Sequence, residues 1–176
     1  GAPRYSWQAA QGYVANYAAT PGSVLPPVIF TAPPLLVSAN EDYEIWIAVS
    51  GAAGGAWGGC EVWFSLDDLV YTYAGEINGP ARYGTVGADI NAGTDPDTLS
   101  TLRLELANES LQLGTGSRED ADNNRLLLWV DGEVISYQNA ILVAAGTYDC
   151  TYLRRHKFGS LPGAHVEGSS WARLDA

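Results

Sequence analysis

Residues 126–160 read LLLWVDGEVISYQNAILVAAGTYDCTYLRRHKFGS. Asp131-Gly132 sits between two alternating apolar runs, 126–130 and 134–137, and an Asp-Gly pair in that setting predicts a tight β-hairpin. A third run follows, in which alternation puts Tyr148, Cys150 and Tyr152 on one face of a strand. Next comes the only basic cluster of an acidic chain, Arg154-Arg155-His156-Lys157. Nothing in this strip has catalytic spacing. It reads as sheet.

The same pattern extends outward. Tyr43, Ile45, Ile47 and Val49 alternate with Glu44, Trp46 and Ala48. Val62, Phe64 and Leu66 alternate with Glu61, Trp63 and Ser65, and Leu102, Leu104 and Leu106 with Thr101, Arg103 and Glu105. Each run predicts a half-buried strand with one face inward. Asn78-Gly79-Pro80, Asn91-Ala92-Gly93 and the small residues 51–55 break the runs at short intervals. Pro26-Pro27 and Pro33-Pro34 bracket residues 28–31, which predicts an edge strand or an arm, because proline cannot donate to a ladder. Many short strands with turn-rich links predict an all-β fold, an antiparallel sandwich resembling a jelly roll. Ahead of it, Trp7, Gln11, Val14 and Tyr17 are spaced for an N-terminal arm or short helix over residues 1–24. The sandwich is then expected over 25–176, with 114–124 as either a boundary between lobes or a long loop inside one domain.

Hydrophobic residues make up 47% of the 176 residues without any apolar run near 18, so no membrane span is expected. Acids outnumber bases 20 to 9, a net charge of −11, which argues against a general nucleic-acid binder. Tyr (10) and Trp (6) exceed Phe (3), a balance that suits half-wet contact surfaces and strands alike. Cys60 and Cys150 lie 90 positions apart with no zinc pattern, and two reduced, buried core thiols are expected. Gly1-Ala2-Pro3 lacks the pattern of a signal peptide and the chain has no Met, so it is expected to be a processed product or an excised piece of a longer protein.

Several segments are candidates for chemistry. In residues 65–73, Asp67 is placed either to fix a turn through its own backbone or to accept from sugar hydroxyls, with Tyr71 and Tyr73 as stacking platforms for the sugar. Trp57, among small residues in the loop 51–59, reads either as a contact element or as a ring folded back on the core. Glu119, Asp120, Asp122, Asn123 and Asn124 are hard oxygen donors, but the spacing is not that of a calcium loop, and a solvated acidic loop is expected there and at Asp95 and Asp97. Arg154, Arg155 and Lys157 are candidates for docking an acidic partner or for neutralising nearby acids such as Asp149. The glycine-rich loop lacks the Lys-Ser/Thr of a phosphate cradle, and His156 and His165 have no partners at metal-ligand spacing. No catalytic residue, metal site or cofactor is therefore expected.

The strip VDGE–apolar–SYQ, followed by Tyr152-Leu153-Arg154-Arg155, resembles the C-terminal β region of bacteriophage tail-tip and baseplate hub proteins, particularly the large tail protein of gene-transfer-agent-like particles. Residues 26–34, 57–67 and 79–84 are similar to segments of the same family, so the likeness spans about Leu25 to Gly159. That family tends to carry a Gly after the paired arginines where this chain has His156-Lys157, so the turn there need not be the same. The resemblance implies a virion structural domain at the tail tip, assembled in the bacterial cytoplasm, with other tail or baseplate proteins as partners and a homotrimeric setting. The alternative, from the aromatic segments, is a carbohydrate-binding module for host surface glycans.

Overall fold

The computed structural model describes residues 22–39 and 43–174, so the expected arm or helix lies almost wholly outside the described residues. In chain order the strands are β1 (Val28–Thr31), β2 (Ile45–Ala48), β3 (Cys60–Phe64), β4 (Thr72–Ile77), β5 (Tyr83–Val86) and β6 (Leu102–Leu106). A short helix α1 (Arg118–Asp122) precedes β7 (Leu127–Val130), β8 (Glu133–Ala144), β9 (Thr147–Arg154) and β10 (Ser170–Arg173). The protein is all-β and antiparallel, as the alternation predicts. It is not a two-layer sandwich: β10, β5, β6, β9, β8 and β7 close into a barrel. The closing strand is β10, which pairs with β5 on one side and β7 on the other. This leaves the barrel without an edge. A four-residue strand with two distant partners leaves no mark in local alternation.

The Asp131-Gly132 turn forms as expected. Both residues have positive φ, 45° and 93°, the twist that a two-residue hairpin loop requires. Leu102, Leu104, Leu106, Leu128, Val130, Ile135, Tyr137, Cys150, Leu153 and Trp171 fill the interior. The stretch 114–124 is a connection within this barrel, between β6 and β7. It contains α1, begun by a reciprocal capping box in which the Ser117 hydroxyl accepts from the Asp120 N–H and Asp120 accepts from the Ser117 N–H.

Outside the barrel lie two two-stranded sheets, β1–β2 and β3–β4. The first packs on the barrel wall, where Phe30 stacks on Trp129 with ring centroids 4.2 Å apart and the Tyr83 hydroxyl donates to the Pro26 carbonyl. The second has no core of its own. From residue 52 to 82 no side chain is fully buried. Strand β3 thus departs from its expected inward face, since Phe64 is half exposed and Leu66, beyond it, is 95% exposed.

Candidate functional site

Simple alternation in β9 would send Tyr148, Cys150, Tyr152 and Arg154 inward together. Tyr148 and Cys150 are indeed buried, but so are Leu153 and Arg155. The phase changes at Tyr152, whose backbone is left-handed (φ 53°). Its ring turns outward, where the hydroxyl donates to Asp122 and accepts from the Arg118 guanidinium that lies over the ring. The paired arginines are thereby split. One goes to each side of the wall.

Arg155 is fully enclosed. Its guanidinium makes a two-pronged pair with Glu133, at 2.8 Å through Nε and 2.8 Å through Nη2, and it also donates to Asp97 and to the carbonyls of Asn91 and Gly163. Glu133 further accepts from the backbone N–H groups of His156 and Gly163 and meets the His165 ring at 2.9 Å. Burial alone would raise the Glu133 pKa. The bonds from Arg155, His165 and the His156 N–H outweigh it and hold that carboxyl down at about 2. Gly93 belongs to the same box, because a Cβ there would run into Asp97 and Arg155. A buried charge network closed off from solvent, with both Glu133 oxygens and all three Arg155 nitrogens hydrogen-bonded, supports structure. It presents no group to a substrate.

Arg154 faces outward and bonds Asp95 and Asp122, and Lys157 also reaches Asp95. These ions neutralise nearby acids, but not Asp149, which pairs with Arg103 from the neighbouring strand β6. Asp95 is held down at about 2, chiefly by its bond from Arg154. Asp97 departs from the expectation of a solvated acid: it is buried, and it fixes a turn by accepting from the N–H groups of Leu99 and Ser100. Asp120 is engaged in the α1 cap and Asp122 in the Arg154 network, while Glu119 is exposed as expected. Among the described residues, no group of three or more His, Cys, Asp or Glu could hold a metal ion, and no helix is long and apolar enough to cross a membrane.

The aromatic candidates separate. Trp57 is half-buried and donates its indole N–H to the Asn78 carbonyl, which ties the 51–59 loop to the end of the β3–β4 hairpin. Asp67 does fix the hairpin turn, accepting from the N–H groups of Leu69 and Val70 and from the Ser65 hydroxyl. These bonds hold its carboxyl below the usual range. Tyr71 and Tyr73 are 55% and 46% exposed, and Tyr71 donates to Asp68. Around that fixed turn, Leu66, Leu69 and Val70 point into solvent. Trp63, not a candidate from the sequence, meets Tyr73 edge to face across the ladder at 5.3 Å. Cys150 lies in the barrel, where burial pushes its thiol up to about 12. Cys60 departs from the core-thiol expectation, being only half-buried at the foot of the hairpin, and the two thiols are free.

Residues 81–172 match the family described as Rcc01698-like, C-terminal. The chain belongs to that family. The matched stretch begins just before β5 and ends in β10, so it takes in all of the barrel except the last residue of β10. No curated protein matches the chain. The β1–β2 sheet and the β3–β4 hairpin lie outside the family match.

Proposed function

We infer that this chain is a structural domain of the tail tip or baseplate of a phage or phage-like particle, working through protein contacts in assembly and at the host surface. The residue likeness in the 126–160 strip and in the segments from 26 to 84 supports that setting. The observation that carries the contact role is the β3–β4 hairpin, an ordered element with no buried side chain whose turn aims Leu66, Leu69 and Val70 at solvent. Contiguous apolar exposure on an ordered element marks an interaction surface. Beside it a cleft of about 960 Å³, lined by Phe30, Trp46, Val62, Ile77, Ala81 and Leu174, separates the hairpin from the β1–β2 sheet and the barrel. The test is a Leu66→Ser/Leu69→Ser/Val70→Ser variant made in particles. The expected result is a folded chain whose incorporation or host adsorption falls at least tenfold. Wild-type incorporation together with wild-type adsorption would sink the reading.

A second reading, a glycan-binding surface, draws on the exposure of Tyr71 and Tyr73 next to the Asp67 turn. An array of host surface polysaccharides separates the two. Binding lost in Tyr71→Ala/Tyr73→Ala, and retained in Trp57→Ala, supports the sugar target; silence across the array removes it.

A further inference from the structure

We propose that the hairpin face bearing Glu61, Trp63, Tyr73 and Glu76 docks a basic segment of a partner protein, with a Lys or Arg side chain received between the two carboxylates and against the rings. This rests on the contact role proposed above and names the chemistry of the partner.

The face is defined by the ladder. Trp63 pairs with Tyr73 and Glu61 pairs with Glu76, and the Trp63 indole N–H reaches back along its own strand to Glu61 at 3.0 Å. All four side chains are exposed, so among the described residues nothing covers this side of the two-stranded sheet. A pair of strands in that condition is marginal unless something covers it.

Charge selects the occupant. No Lys or Arg occurs between Arg4 and Arg82, an interval that holds seven acids: Glu41, Asp42, Glu44, Glu61, Asp67, Asp68 and Glu76. The carboxylates of Glu44, Glu61, Asp67 and Asp68 all accept from neutral donors: backbone N–H groups, indoles or hydroxyls. The barrel is the opposite case, with Arg103, Arg154 and Arg155 each set against an acid of its own. Glu61 and Glu76 stand directly opposite one another, an arrangement that repels in an antiparallel ladder. A recess of about 250 Å³ lies between them, floored by Gly58, Gly59, Cys60 and Asn78. A cation placed there relieves the repulsion, and its stem or guanidinium can lie on Trp63, the ring type that holds cations best. A second copy of the same face would bring like charges together, so self-association through this surface is excluded.

The experiment uses the full chain and two synthetic peptides of equal length, one alternating Leu with Arg and one alternating Leu with Glu. Binding is followed by tryptophan fluorescence at low and high salt, with Glu61→Gln/Glu76→Gln and Trp63→Ser as variants. The expected result is binding of the Arg peptide alone, weakened at least tenfold by either variant and by high salt. The Gln pair should unfold no earlier than wild type, because it removes a repulsion, so lost binding cannot be assigned to misfolding. Absent binding of the Arg peptide, equal binding of both peptides, or indifference to the Gln pair overturns the proposal. If the Arg peptide fails while the Leu66/Leu69/Val70 variant still blocks incorporation, the charge inference falls and the assembly reading stands. If that variant is incorporated and adsorbs normally, the assembly reading falls by itself.

Discussion

The barrel and the β3–β4 hairpin treat charge and apolar surface in opposite ways. In the barrel, Leu, Ile and Val side chains are enclosed, and even the ions are internal: Arg155 sits at 0% exposure against Glu133 at 1%. In the hairpin, Trp63, Phe64, Leu66 and Leu69 face water, and the carboxylates are held by neutral donors with no base nearby in sequence. The difference separates a scaffold from the element proposed to make contacts. A buried ion network fixes one arrangement of β8, β9 and the loops at 91–97 and 163–165, whereas an exposed apolar turn costs stability unless a partner covers it.

That contrast can be broken most sharply at Arg155. Arg155→Ala leaves Glu133 charged and unpaired in the interior, and urea unfolding should show a loss of about 3–5 kcal/mol, the usual cost of removing one partner of a buried pair. A loss under about 1 kcal/mol would mean that water reaches the box. Acid probes the same site without mutation. A carboxyl whose folded pKa lies below its unfolded value lends stability above the unfolded value of about 4.5, and that stability drains away as the pH falls through about 2. The unfolding midpoint should therefore drop across this window in wild type, and less steeply in Glu133→Gln, which starts lower. A midpoint flat between pH 4.5 and 2 would contradict the network.

Smaller effects sharpen the comparison. His156, at the place where the resembling family carries Gly, has φ 42° and ψ 47°, so the turn keeps a left-handed backbone without its glycine. His156→Gly should stabilise by roughly 0.5–1 kcal/mol, since left-handed backbone is strained for any residue with a Cβ; destabilisation would show that the ring's packing matters more. At the hairpin turn, Leu66→Ser should change unfolding by no more than about 0.5 kcal/mol, as for other exposed positions. A thiol reagent on the native chain should likewise modify Cys60 and spare Cys150.

Local sequence carried the strands and the Asp131-Gly132 turn, because alternation and turn chemistry act over a few residues. Barrel closure was not legible, since it depends on β10 meeting strands far away in the chain: Trp171 pairs with Gly84, 87 positions before it, and with Val130, 41 before it, and no local pattern spans either separation.

 The split of the paired arginines was hidden for a different reason. Strict alternation places Arg154 with Cys150, and only the left-handed backbone at Tyr152, a residue type that gives no such signal, turns Arg155 inward. Glu133 was missed because a charged residue beside a turn reads as solvent-facing, although all of 133–137 is buried. The contact face was half legible. Tyr71, Tyr73 and Asp67 stand out in the sequence, while Trp63 reads as one side of an ordinary half-buried strand, and the Glu61–Glu76 opposition appears only once the register is known.

The most direct test of the account is hydrogen exchange on the chain free and assembled in particles. The account predicts that protection gained on assembly is concentrated in the hairpin, over Cys60–Phe64 and Thr72–Ile77, while barrel amides such as those of Leu104, Ile135 and Cys150 are already protected in the free chain and change little. Protection gained on the barrel, with the hairpin exchanging as fast in particles as in solution, would contradict it.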